Sequence, residues 1–145
     1  MNLWRTLTTA FVLAASTSVG SADGDPVQGE TVFRKCMACH RVGEGARHVV
    51  GPVLNGVIGR KAGTAEGYRY SGINQSAGEA GLIWDEDLIF QYLPDPQGFL
   101  VTFLQEQDQG DLARGRTRMA FRLADEQQRL DVVAYIKQFS DAPTQ

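Results

Sequence analysis

Only two Cys and two His occur in the 145 residues. A structural zinc site would need four such ligands around one tetrahedron, and here Cys39 and His40 are adjacent and poorly placed to share one. Long apolar runs are also missing. The stretch from Leu7 to Ala15 is too short to span a bilayer, and no later segment is long enough. No segment alternates apolar and polar residues far enough to make a sheet, and internal repeats and low-complexity tracts are absent. Basic residues are the minority: with Arg5 set aside, 13 Lys and Arg face 17 Asp and Glu, a formal charge of −4, which excludes a generic nucleic-acid binder.

Residues 1–22 resemble an export signal. A charged start ends at Arg5, an apolar run follows, and small residues lead to Gly20-Ser21-Ala22, so cleavage after about Ala22 is expected. A retained anchor is the less favoured reading. Residues 23–145 then make one domain, expected to be exported to the periplasm and long enough to bury about two thirds of its extended surface.

The two cysteines sit together in Cys36-Met37-Ala38-Cys39-His40. Cys-x-x-Cys-His is the sequence form of covalent c-type haem attachment: each thiol adds across a vinyl group, and the adjacent imidazole is held over the iron. A thioredoxin-like redox pair would need a preceding strand, and what precedes the pentad reads as helix. A plain disulfide would leave the histidine without a purpose.

Helical signals bracket the pentad. Asp25-Pro26-Val27-Gln28 reads as a helix start, with Asp25 as N-cap, Pro26 first in the helix and Gln28 completing a capping box. Gly29 and Phe33 share a face four residues apart, so another helix can cross closely there. Residues 41–70 are glycine-rich loop. Within it the Pro52 carbonyl is a candidate partner for the far N–H of His40, and His48 reads as bonded to a neighbouring loop rather than to iron. Asp85 caps a second helix with a Trp84–Ile89 staple, ended by Pro94 and Pro96. Residues 99–104 are apolar enough to pack as a short helix, and residues 105–116 are polar. A last helix runs from about Asp125 to about Phe139, with Leu130, Val133 and Ala134 on one apolar face and Val132, Ile136 and Phe139 on a neighbouring one.

A sixth iron ligand, or its lack, separates an electron carrier from a haem enzyme or gas-binding protein. Of three methionines, Met1 leaves with the signal and Met37 is trapped on the histidine side, so only Met119 can approach the opposite face. Thioether ligation would raise the reduction potential and close the iron to oxygen. As a gap-filler in the core Met119 would have no such effect.

Taken together these features resemble class I c-type cytochromes, in particular the bacterial cytochrome c2/c550 group. Gly51-Pro52, Gly59-Arg60-Lys61, Gly67-Tyr68-Arg69-Tyr70, Trp84, Tyr92-Leu93 and Thr117-Arg118-Met119 join the pentad and the Tyr135 helix in the match. The resemblance implies an all-α fold with first and last helices crossing, wrapped around one haem c. It also implies His40 and Met119 as axial ligands and Cys36 and Cys39 as thioether anchors. Pro52 would orient His40; Arg60, Tyr70 and Trp84 would face the inner haem propionate; Asn74, Tyr92 and Thr117 would tune the Met119 side; and Phe121 would cover the haem edge. Relative to the short mitochondrial form there is an insertion, Thr102 to about Ala113, which leaves the Met119-side contacts open.

Charge is uneven along the chain. Residues 34–69 hold seven Lys and Arg against two acids, while residues 72–113 hold eight acids and no Lys or Arg. An ordinary solvated surface and a dipolar molecule with a basic docking rim both fit. The rim would consist of Lys35, Arg47, Arg116, Arg118 and Arg122, arginines standing where the family has mostly lysines. The expected partners are acidic-faced redox proteins: a bc-type complex, a terminal oxidase or reaction centre, or periplasmic reductases and dehydrogenases, met by a monomer. With long glycine-rich loops and three modest helices, the apolar haem is expected to supply much of the core.

Overall fold

A chain segment with Asp followed by Pro has its helix start nearly decided before folding. In the computed structural model, which describes residues 23–141, Asp25 accepts the Val27 N–H at 2.8 Å and helix α1 spans Pro26–Phe33. The expected signal segment, residues 1–22, lies outside the described residues. Four more α-helices follow: α2 (Gly72–Glu79), α3 (Glu86–Tyr92), α4 (Pro96–Glu106) and α5 (Glu126–Lys137), with a single 3₁₀ turn at Gly110–Leu112. The described residues contain no sheet, only an isolated antiparallel bridge between Lys61 and Ile83. No described helix is long and apolar enough to cross a membrane.

Helix α1 crosses α5, and the crossing is closer than any side chain would allow. A Cβ at Gly29 would stand 2.0 Å from the Asp131 carbonyl oxygen and 2.7 Å from Tyr135 Cβ. One turn on, the Phe33 and Tyr135 rings lie 5.3 Å apart, tilted at 47°. The same junction changes the expected cap. The Asp25 N–H goes not to Gln28 but to the Asp131 carboxylate at 2.8 Å, which also accepts from Gln127 at 2.9 Å. A long-range partner thereby replaces the local capping box. Of the expected apolar faces of α5, Val132, Val133 and Ile136 are buried and Leu130, Ala134 and Phe139 are partly so, while Asp131 is buried beside them.

Helices α3 and α5 begin where their caps placed them: Asp85 accepts the Leu88 N–H at 2.7 Å and Asp125 the Gln128 N–H at 2.8 Å. Two elements exceed the sequence reading. Helix α2 had no apolar stripe to announce it, yet Ile73 and Ala77 are fully buried on one face. Helix α4 runs to Glu106, seats Leu100 and Leu104 at 0% exposure, and absorbs the first part of the inserted segment. It ends in a Schellman motif, with Asp108 left-handed at φ 56°, Asp108 N–H on the Gln105 carbonyl at 3.1 Å and Gln109 N–H on the Leu104 carbonyl at 2.8 Å.

The buried apolar residues form two groups. Phe33, Ile89, Leu93, Leu123, Val132, Val133 and Ile136 gather α1, α3 and α5, while Ile73, Ala77, Leu82, Tyr92, Leu100 and Leu104 gather α2 and α4. Trp84 and Met119 pack against both.

Replacing Gly29 with alanine forces α1 and α5 apart, and overpacking of this kind costs about 2–3 kcal/mol. Urea unfolding of Gly29→Ala should show a clearly lower midpoint at an unchanged slope.

Candidate functional site: an apolar cavity

A cavity of about 390 Å³, lined mainly by apolar side chains, opens within the first group, with Tyr92 joining it from the second. After α1 the backbone keeps turning. Cys36 N–H reaches the Phe33 carbonyl at 2.7 Å and His40 N–H the Cys36 carbonyl at 2.8 Å, so Cys36, Cys39 and His40 come round to the same cavity wall. The His40 Nδ1 lies 2.7 Å from the Pro52 carbonyl. A carbonyl only accepts, so Nδ1 carries the proton and Nε2 keeps the lone pair that could bind a metal. Gly51 is required at this point: a Cβ there would sit 2.6 Å from His40 Cε1. Burial lowers the His40 pKa, the Pro52 bond opposes it, and the Arg60 charge lowers it further. The Cys36 thiol is pushed up to about 11, chiefly by burial, with Lys35 opposing and Cys39 adding. A thiol held protonated is the opposite of what a thioredoxin-like nucleophile requires.

Arg60, Tyr70 and Trp84 share another stretch of the wall. Trp84 N–H donates to the Arg60 carbonyl at 2.9 Å, which fixes these two residues side by side. The Arg60 guanidinium donates to the Val53 and Asn55 carbonyls at 3.1 and 3.2 Å. Its pKa is lowered, first by burial, with Tyr70 opposing, while burial raises that of Tyr70. A cation and a phenol turned into an apolar cavity suit an anionic group entering there.

Met119 also lines the cavity and is approached by a polar network. The Tyr92 hydroxyl hydrogen-bonds with Thr117 and Asn74. Thr117 Oγ1 donates to Asn74 Oδ1 at 3.2 Å and accepts the Met119 N–H at 3.3 Å. Ser71, which sequence reasoning passed over together with α2, donates to the same Asn74 oxygen at 2.7 Å. The Ser71-x-x-Asn74 spacing with Ile73 and Ala77 one turn apart was the available signal. His48 stands apart from this site. Its Nδ1 accepts the Val53 N–H at 2.9 Å, so Nε2 donates to the Glu66 carbonyl at 2.7 Å, and both ring nitrogens tie loops together.

The family model for cytochrome c matches residues 26–140. The chain belongs to the cytochrome c family. It is 60% identical over 118 residues to cytochrome c2 iso-2 of Rhodospirillum centenum, covering 81% of this chain and 98% of that one. To cytochrome c2 of Rhodopseudomonas palustris it is 50% identical over 132 residues, 90% of this chain and 93% of that protein. The solved structure of Rhodospirillum centenum cytochrome c2 superposes with a TM-score of 0.79 at 59% identity, over 80% of this chain and 98% of the other. Ferricytochrome c2 of Rhodopseudomonas palustris gives 0.75 at 53% identity, over 79% and 98%. The protein is accordingly a class I cytochrome, an electron carrier rather than an enzyme, with haem c bound through the two cysteines of the pentad.

The cavity fits that group on its own chemistry. It offers two thiols and an imidazole lone pair on one wall, a thioether elsewhere, an apolar interior, and a cation with a phenol where acidic side groups would need them. Phe121 lines it too and is 40% exposed, as a side chain at its edge should be. Of the expected basic rim, Lys35 and Arg118 line the cavity, whereas Arg122 is paired with Asp95 at 2.9 Å.

Burial raises the Tyr92 pKa, against the bonds from Thr117 and Asn74. The native phenol therefore keeps its proton while the unfolded chain loses it near 10, so this contribution to stability is complete below pH 10 and declines as pH rises toward the native value. Tyr92→Phe should flatten that alkaline decline in urea-unfolding free energies, and should lower stability at neutral pH by about 1 kcal/mol for the hydrogen bonds lost.

Proposed function

We propose that this cytochrome is a single-haem periplasmic shuttle in which His40 Nε2 and the Met119 sulfur would hold the iron. The observation that carries this reading is the cavity itself, which gathers Cys36, Cys39 and His40 on one wall and turns Met119 into the same space. When bound, the haem supplies a one-electron ferric/ferrous couple, and thioether ligation favours the ferrous state. The residues present do the remaining work. Cys36 and Cys39 anchor the group, and the Pro52 carbonyl keeps the His40 ring in one tautomer and one orientation. Arg60, Tyr70 and Trp84 would receive a propionate, whose negative charge the guanidinium would offset. Asn74, Tyr92 and Thr117 hold the Met119 backbone, so that both oxidation states find the same surroundings and little moves on transfer.

Export to the periplasm is supported by the signal pattern in residues 1–22 and by bacterial relatives named cytochrome c2. The partners proposed are membrane complexes of the bc type, a terminal oxidase or a reaction centre, and periplasmic reductases or dehydrogenases. Docking would use Lys35, Arg47, Arg116 and Arg118, with Arg122 contributing less because Asp95 offsets it. Such a charged rim steers encounter and orientation and lets the complex part quickly.

Ferric protein at neutral pH should show the far-red sulfur-to-iron charge-transfer band, and Met119→Ala should abolish it and lower the reduction potential. A wild-type spectrum without the band would favour an open sixth site instead. Stopped-flow reduction by an acidic-faced partner should slow steadily as salt rises, since the Debye length falls from about 10 Å at 0.1 M to about 3 Å at 1 M. Rates indifferent to ionic strength would remove the case for a basic docking rim.

A further inference from the structure

The segment that carries Met119 has no regular structure between Ala113 and Asp125, so something else must hold it in place. The corner between α3 and α4 does so at several points. The Leu93 carbonyl accepts the Leu123 N–H at 2.8 Å, and the Asp95 carboxylate pairs with Arg122 at 2.9 Å, both on the far side of Met119. On the near side stands Gln97. Its Oε1 accepts the Thr117 N–H at 2.8 Å, and its Nε2 donates to the Gly115 carbonyl at 3.2 Å. The amide orientation follows from its partners, because a backbone N–H only donates and a carbonyl only accepts. One side chain thus spans three residues of the loop with both ends of its carboxamide.

Gln97 is well mounted for that task. It is the second residue of α4, after Pro96, which is fully buried, and Asp95 caps the turn by accepting the Gly98 N–H at 3.2 Å. The residue it grips, Thr117, is also the one that accepts the Met119 N–H and meets Asn74 and Tyr92. Beyond it, Arg118 reaches across to the Arg69 carbonyl at 2.6 Å. Helix α4 is therefore the rigid plate, and Gln97 the bracket that joins it to the Met119 segment.

We propose that Gln97 is a positioning residue for the sixth ligand, setting how readily Met119 gives way to an external ligand rather than how stable the fold is. This rests on Met119 being that ligand. With the bracket removed, the loop from Gly115 to Thr117 keeps its contacts to Asn74 but loses its attachment to α4, so the state in which Met119 has swung out of the cavity becomes more populated. External ligands bind that state, and their apparent affinity rises with its population.

The test uses the ferric holoprotein with imidazole as the probe. Gln97→Met keeps the bulk of the side chain and removes both hydrogen bonds; it should bind imidazole about tenfold more tightly than wild type, about 1.4 kcal/mol. In a Met119→Ala background, where no sulfur competes, the same Gln97→Met change should leave imidazole affinity unaltered. A general loss of structure would instead move both backgrounds alike, and urea midpoints followed by far-UV circular dichroism distinguish that case. A wild-type far-red band together with imidazole affinity unchanged by Gln97→Met overturns the bracket alone. A wild-type spectrum lacking the band overturns the ligand reading, and the bracket with it.

Discussion

The first apolar group of this protein walls a cavity of about 390 Å³ that Tyr92 joins from the second group, and the rest of the structure follows from that cavity. Water would be a poor filling for walls made of Phe33, Leu93, Val132, Ile136 and Met119. A flat apolar cofactor tied to the chain satisfies those walls. It also explains how a chain with a 30-residue glycine-rich loop and short helices can hold together. The helices act as a frame, and the covalent attachment at Cys36 and Cys39 keeps the filling from leaving.

A frame of this kind needs its ends locked, and the lock is the crossing of α1 and α5. Gly29 lets the Asp131 carbonyl approach, and the Asp131 side chain takes the first N–H of α1. A buried carboxylate without partners would be destabilising, so its two donors, Asp25 N–H and Gln127, matter as much as the ring contact of Phe33 with Tyr135. Chain ends distant in sequence are joined there by one polar group and one missing side chain.

The two sides of the cavity are held in different ways. On the imidazole side a single backbone carbonyl, Pro52, sets tautomer and direction, with Gly51 making room for the ring. On the thioether side the holding is distributed over Ser71, Asn74, Tyr92, Thr117 and Gln97, drawn from three helices and a loop. Methionine offers sulfur but no hydrogen bond strong enough to be anchored by, so its backbone has to be anchored instead. The acidic stretch and the basic rim also meet in this region, through Asp95 and Arg122.

Much of this was legible in the chain. Local chemistry determined the helix starts at Asp25, Asp85 and Asp125 and the contact of His40 with its neighbour Pro52, because caps and spacing act over short distances. Tertiary packing decided the rest. Helix α2 has a composition of Gly, Asn and Ser that signals turns, and only the burial of Ile73 and Ala77 against α4 makes it a helix. The N–H of Asp25 found Asp131 rather than Gln28, and Gln97 found Gly115 and Thr117, because a polar group takes the best partner that folding brings near, and separation in sequence does not enter that choice.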